Sequence, residues 1–276
     1  MSPLKRLIFL FAVILKKNPI TFIWAWNLLR KFAFYKPALL LPHDKSYLGI
    51  GLIPELEGGF YLDVGANNGL SALSILAIDP KANVLSIEAN RYHQRSLNAI
   101  HQRYPRCDFK IVAAGTEPGT LTFTTPVFLG QPITLYTSLD KAYLQREMGR
   151  VFPPLFRRMM RYEQDTVEVI PLDQLELKPA FIKVDAEGVD HLVLQGLRQT
   201  IENAQAVVMF EYDPDNFEHI AQLFTQLNYH LIQFDAQQSC FTPFDISSTQ
   251  QEYDQGELAV NPYAVPKAMK ERLLNL

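Results

Sequence analysis

The sequence predicts an α/β fold, a mostly parallel, seven-stranded sheet with helices on both faces. Three observations predict it. From residue 60 onward, short apolar runs alternate with helical patterns of about ten residues, as in successive βαβ units. The runs are almost continuously apolar, as strands covered on both faces are. The first run ends in a glycine-bearing turn, Asp63-Val64-Gly65-Ala66-Asn67-Asn68-Gly69, which opens a helical pattern.

The elements follow in order. Phe60–Val64 is the first strand, and Leu70–Ile78 the first helix, ended by Asp79-Pro80. Asn83–Glu88 is a strand and Arg91–Tyr104 a helix, stopped before Pro105. Phe109–Ala114 is the third strand and Phe181–Asp185 the fourth, followed by a helix from His191 to Ile201. Ala206–Glu211 is the fifth, with a helix over Phe217–Leu227. Tyr229–Phe234 is the sixth and Glu257–Val260 the seventh, and a surface helix runs from Val265 to Leu274. Residues 115–166 are too long for a simple loop. Their basic interior, Lys141, Arg146, Arg150, Arg157, Arg158 and Arg161, reads as helix interrupted at Pro153-Pro154 and predicts a substrate lid. The domain is therefore placed at 44–262, with a basic, aromatic N-terminal helical segment at 1–43 and a C-terminal helix at 263–276.

Charge divides the chain. The net charge is −3, yet Lys5, Arg6, Lys16, Lys17, Arg30, Lys31 and Lys36 all precede the first acid, Asp44. Apolar runs at 7–15 and 20–29, the second with Trp24 and Trp26, lie among these cations. Nine apolar residues are too few to span a bilayer. Aromatics beside cations suit a lipid headgroup interface, so residues 1–36 are expected to touch a membrane surface or to pack on the domain. The two cysteines, Cys107 and Cys240, have no metal-ligand or disulfide pattern, which fits a reducing, cytoplasmic setting. No nucleic-acid partner is indicated.

The turn at Asp63–Gly69 lies where open parallel sheets bind ligands, at a strand's carboxyl end. Gly65 gives backbone freedom and no side chain to block a ligand; Gly69 brings the next helix close to the sheet. The spacing Gly65-x-x-x-Gly69 lacks the middle glycine of a dinucleotide cradle, which argues against NAD. S-adenosylmethionine needs an acid for its ammonium and N–H donors for its carboxylate, which Asp63 and the turn offer. Glu88 ends the second strand, placed to accept from both ribose hydroxyls.

The second constellation is Phe181-Ile182-Lys183-Val184-Asp185-Ala186-Glu187-Gly188. Period two puts Lys183 and Asp185 on one face, where they pair structurally. Asp185 and Glu187 sit at the carboxyl end, where a carboxylate orients an acceptor hydroxyl and takes its proton. Asp185 with Glu187 also offers oxygen ligands to a divalent cation; two acids alone do not establish such a site, and metal-independent action is expected. Glu211 is a further candidate for the acceptor side, and Asp213-Pro214 reads as turn chemistry. His191 reads as a base or a packing residue.

These motifs resemble the FkbM-type methyltransferases over roughly residues 60–235. The resemblance is carried by Asp63–Gly69, Ser86-Ile87-Glu88-Ala89-Asn90, and Ile182–Gly188 with Leu194-x-Gly196. It implies a Rossmann-like, class I fold and S-adenosylmethionine-dependent methyl transfer to oxygen on a glycan, glycolipid or secondary metabolite. It implies cofactor contacts at Asp63, Gly65, Asn67, Gly69 and Glu88, with Ala114 at the end of the third strand counted among them, and catalysis near Asp185 and Glu187. Ala89 and Val189-Asp190 depart from the family pattern without touching the acids. An NAD-dependent oxidoreductase or a non-catalytic cofactor-binding protein are the rival readings.

Overall fold

A computed structural model describes residues 42–152, 154–186, 188–254 and 261–275. The sheet begins with β1 (Phe60–Val64), β2 (Asn83–Glu88) and β3 (Cys107–Ile111). It continues with β8 (Phe181–Val184), β9 (Val207–Phe210), β10 (Tyr229–Asp235), β11 (Cys240–Pro243) and β12 (Tyr263–Pro266). The spatial order is β11-β10-β12-β9-β8-β1-β2-β3. The five strands from β9 to β3 are mutually parallel, and β12 enters antiparallel between β9 and β10. The strand order reverses at β1, whose neighbours are β2 and β8, so a crevice opens above the carboxyl ends of β1 and β8.

Strand periodicity explains the two cores. Tyr61, Phe181, Val207 and Met209 point to one face; Leu62, Ile182, Val208 and Phe210 point to the other. The first face is covered by the 3-10 helix Lys45–Leu52 and by α1 (Leu70–Ile78). Residues 71–76 of α1 are all buried, so it is apolar all round and lacks a polar face. Its two interior serines find partners, Ser71 at Asp63 and Ser74 at His43. The second face is covered by α5 (Asp190–Gln195), α6 (Arg198–Ala204) and α7 (Phe217–Gln226), which buries Phe217, Ile220, Leu223 and Phe224 at helical spacing. Between β2 and β3, α2 (Gln94–Arg103) turns Leu97 and Ile100 inward.

Several expectations change. Among the described residues the main sheet has eight strands rather than seven, because the hairpin partner β11 extends its edge. The antiparallel strand is 263–266, so the predicted tail helix starts only at Lys267, as α9 (Lys267–Leu274), and its first residues are buried strand. The strand predicted at Glu257–Val260 and the segment 1–41 lie outside the described residues. The predicted third strand breaks at Val112: Ala113–Ala114 (β4) leaves the main sheet and pairs with a second one. The helix predicted from His191 to Ile201 is two helices.

The largest revision concerns residues 115–166. They form an antiparallel ribbon rather than a helical decoration. β5 (Gly119–Phe128) and β7 (Met160–Ile170) pair in register from Gly119↔Val169 to Phe128↔Met160. The short β6 (Gln131–Pro132) completes the order β4-β7-β5-β6. The helices α3 (Lys141–Val151) and α4 (Pro154–Arg158) lie at the ribbon's far end. There Ile133, Leu144, Met148, Phe152 and Met160 form a small core of their own. Among the described residues, the last helix before β12 is α8 (Ile246–Asp254).

Candidate functional site

A cavity of about 430 Å³ lies at the switch in strand order, within the roughly 300–1,000 Å³ usual for small-molecule sites. Its floor is the carboxyl ends of β1, β2 and β8, with Gly65, Asn67, Glu88, Asp185 and Ala186. Its far wall is the ribbon, with Leu121, Phe123, Thr134, Thr137, Ser138, Leu139 and Asp140. Among the predicted residues, Gly65, Asn67, Glu88, Ala114 and Asp185 line this one space. Asp63 and Gly69 do not. Glu187 lies outside the described residues.

Asp63 sits beneath the turn, fully buried. Register sets it in a row across three strands, with Ser86 on one side and Lys183 on the other. Its Oδ2 accepts from the Ser71 hydroxyl at 2.6 Å and the Ser86 hydroxyl at 3.3 Å. Burial pushes this carboxyl up, while Lys183 and the two serines pull it down. Lys183, 4% exposed, places Nζ 3.7 Å from Asp63 Oδ1 and 3.1 Å from Asp185 Oδ2. It also donates to the Gly65 carbonyl at 3.1 Å. Burial would neutralise the ammonium; Asp185, Tyr47 and Asp63 outweigh it and hold the charge. The expected Lys183–Asp185 pair is therefore present, and it extends to the turn.

Gly65 is required by close approach. Its φ is +75°, and a Cβ there would lie 1.7 Å from the Asp185 carbonyl oxygen. The glycine thus makes room for β8 as well as for a ligand. Gly69, at φ +85°, packs against Ile100 and Leu97 of α2. The turn's N–H groups, expected to face a ligand, are largely in use. Those of Gly65 and Ala66 donate to the Ile87 carbonyl, that of Gly69 to Ala66, and that of Asn67 to Glu88 Oε2 at 2.6 Å.

Glu88 also accepts from the Asn90 N–H at 2.6 Å. Burial pushes its carboxyl up to about 7 despite these two bonds. Each oxygen keeps lone-pair capacity toward the cavity. The lining acids are Glu88, Asp140 and Asp185, with His93 as the one basic type among the described lining residues. Such a cavity suits a cationic ligand. Lys141 and the five arginines of the ribbon do not line it. Among the described residues, no group of three or more His, Cys, Asp or Glu is placed to hold a metal ion.

Sequence reasoning missed how the segment after Glu88 fastens the ribbon. The Asn90 side chain caps its own turn through the Tyr92 N–H and donates to Thr137 Oγ1 at 3.0 Å. Arg91 lies 3.3 Å from Asp165, and the Tyr92 hydroxyl donates to Glu163. The acid followed by an Asx-type cap was the available signal; its partners more than forty residues on were not. Asp190, at the start of α5, accepts from the Ala186 N–H at 2.8 Å and so closes the loop after Asp185. Burial raises its carboxyl to about 6. Glu211 and His191 stand outside the lining; the His191 ring instead lies 5.8 Å from that of His219. Asp213 does make turn chemistry, accepting from the Asp215 N–H.

Comparison with known proteins adds the family. The methyltransferase FkbM domain model matches residues 63–231, more than half of the chain. Among solved structures, a methyltransferase FkbM from Methylobacillus flagellatus KT is similar at 16% identity and TM-score 0.47. That alignment covers 87% of this chain, which spans 60% of the length of its counterpart. A precorrin-6y C5,15-methyltransferase from Geobacter metallireducens GS-15 aligns at 8% identity and TM-score 0.40, over 80% of this chain and 87% of that one. A putative O-methyltransferase from Klebsiella pneumoniae aligns at 10% identity and TM-score 0.40, over 86% and 89%. No curated protein matches. With Asp63 at its first position and both acidic motifs inside it, the matched span identifies the chain as a member of the FkbM methyltransferase family, with a Rossmann-like arrangement of its parallel strands.

Proposed function

We propose that the cavity binds S-adenosylmethionine and that the chain transfers its methyl group to a hydroxyl oxygen of a glycan, glycolipid or secondary metabolite. The observation that carries this reading is the placement of Glu88 and Asp185 on one acidic cavity at the switch point. The bound cofactor supplies an electrophilic methyl on a sulfonium. Glu88, with Gly65, Asn67 and Ala114 around it, holds the ribose side. Asp63 acts from below, by fixing Lys183. Asp185, 38% exposed and held by Lys183, faces the acceptor side. There it orients the hydroxyl and accepts its proton, a contribution of about 10²–10⁴-fold. Glu187 is given a catalytic role with it on the family motif alone.

The reaction is metal-independent on this reading, and the partner is a small-molecule or glycan acceptor rather than a nucleic acid. The setting is the cytoplasm, and the cations and tryptophans of residues 1–36 suit either a membrane surface or a face packed on the domain. No helix among the described residues is long and apolar enough to cross a membrane.

The test uses methyl-labelled S-adenosylmethionine with glycan and lipid extracts. A methyl ether withstands alkali, so label should stay in the product after base treatment. Label released as methanol would mark a carboxylate acceptor and sink the hydroxyl assignment. Asp185→Asn should lower turnover by about 10²–10⁴-fold with cofactor binding retained; unchanged turnover would remove Asp185 from the mechanism.

A further inference from the structure

The ribbon's far end combines two properties found together nowhere else among the described residues. It is cationic: residues 129–161 hold Lys141 and five arginines against Asp140 and Glu147. Outside this stretch and the first 43 residues, 13 basic residues face 27 acidic ones. It is also apolar at its surface. Leu129, Leu139, Tyr143 and Met159 are 66%, 55%, 51% and 48% exposed. The end pair Phe128↔Met160 sets Leu129 and Met159 beside each other at the tip.

The internal contacts of this region leave that surface outward. Leu144 and Met148 bury the inner side of α3, while Tyr143, Arg146 and Arg150, at spacings of three and four, form a stripe on another side. Asp140, the N-cap of α3, lines the cavity, as does Leu139. The cationic, apolar surface therefore starts at the cavity mouth.

We infer that this tip docks on an anionic lipid bilayer and presents the cavity mouth to acceptors held in the membrane. Cations draw the tip to acidic headgroups, and exposed Leu, Met and Tyr side chains enter the headgroup boundary. A nucleic acid would use the arginines but gives exposed leucine and methionine nothing to bury against. An anionic bilayer satisfies both halves of the surface, and the acidic remainder of the molecule turns the tip toward it. The consequence for substrate class, a lipid-linked hydroxyl, rests on the proposed function; the docking does not.

The experiment is flotation of the full chain with two kinds of vesicle, phosphatidylcholine alone and phosphatidylcholine with phosphatidylglycerol. The wild type should float with the anionic vesicles and less with the neutral ones. Neutralising Arg146→Gln, Arg158→Gln and Arg161→Gln together should weaken partition by about a hundredfold, at roughly 1 kcal/mol per cation. Leu129→Ser with Met159→Ser should weaken it with charge unchanged, which decides the matter should the triple variant fail to fold. Undiminished flotation of the variants, equal flotation on both vesicles, or binding of a single-stranded RNA without binding of vesicles would overturn the docking. Calorimetric titration of S-adenosylmethionine separates the two ideas. A wild type that floats but binds no cofactor strikes the methyl-transfer reading and leaves the docking standing; one that binds cofactor but does not float strikes the docking, together with any membrane contact of residues 1–36, and leaves the methyl-transfer reading standing.

Discussion

In the central sheet, charge is buried and matched across strands: Asp63, Ser86 and Lys183 stand in one register row, closed from solvent. In the ribbon, polar contacts also run over open surface, as between Thr122 and Thr166 or Arg150 and Glu147. Both regions border the same cavity, yet they answer to different constraints. A buried ion is tolerated only with its partners in place, so each side chain of the sheet's row depends on the others. A surface pair contributes about 1 kcal/mol or less and can be exchanged singly. The sheet supplies fixed chemistry; the ribbon supplies a wall whose composition can vary without unfolding the domain.

Two glycines give the sharpest way to break this contrast. Gly65 and Gly130 share positive φ, +75° and +77°. At Gly65 a Cβ meets backbone, and at Gly130 it meets nothing within 4 Å. Gly65→Ala should therefore cost about 4 kcal/mol or more and abolish cofactor binding. Gly130→Ala should cost only the left-handed backbone term, about 1–2 kcal/mol. Thermal unfolding of the two variants measures the difference, and equal losses would show that the sheet is no more constrained than the ribbon.

The next effect is a pH dependence with opposite signs for fold and ligand. The Glu88 carboxyl is raised by burial from 4.5 to about 7. Its contribution to folding is therefore fully present below about 4.5 and is lost as pH climbs through 7. A ribose hydroxyl donates to the ionised form, so cofactor affinity should fall as pH drops below about 7, by up to about tenfold per pH unit. Calorimetric Kd values across this range check it, and Glu88→Gln should flatten the profile.

The smallest expected effect lies in the ribbon's fastening. Tyr92→Phe removes the bond to Glu163, and unfolding free energy should drop by less than about 1 kcal/mol. A drop of several kcal/mol would make the ribbon as integral as the sheet and erase the distinction.

The parts legible in sequence divide along the same line. β1, β2, β8 and β9 are visible because burial on both faces leaves apolar runs with few readings. Glu88 and Asp185 are visible because they end such runs. Asp63 stands one residue before the end of another, but spacing carries no depth, and only the pairing opposite Lys183 reveals that it lies beneath the turn. The ribbon stayed hidden for a different reason. Thr120-Leu121-Thr122-Phe123 does alternate as a half-buried strand should. Pro126 and the charges of β7 obscure the rest, however, and the two strands are joined by more than thirty residues rather than a tight turn. The second half of β12, Val265-Pro266, reads in sequence as the start of the tail helix because four residues are too few for periodicity to separate strand from helix.

The position of β12 also bears on how the protein is made. Strands β9 and β10 leave the ribosome before residues 263–266 do, yet those residues must lie between them. β10 pairs with β11 across a tight turn, so that hairpin forms early and locally. It cannot take its final seat until β12 has been synthesised. During that interval the nascent chain holds an open edge at β9, the kind of exposed strand that chaperones and stray pairing both seek. Insertion of a late strand into the middle of the sheet makes completion of this fold a timed event as well as a structural one.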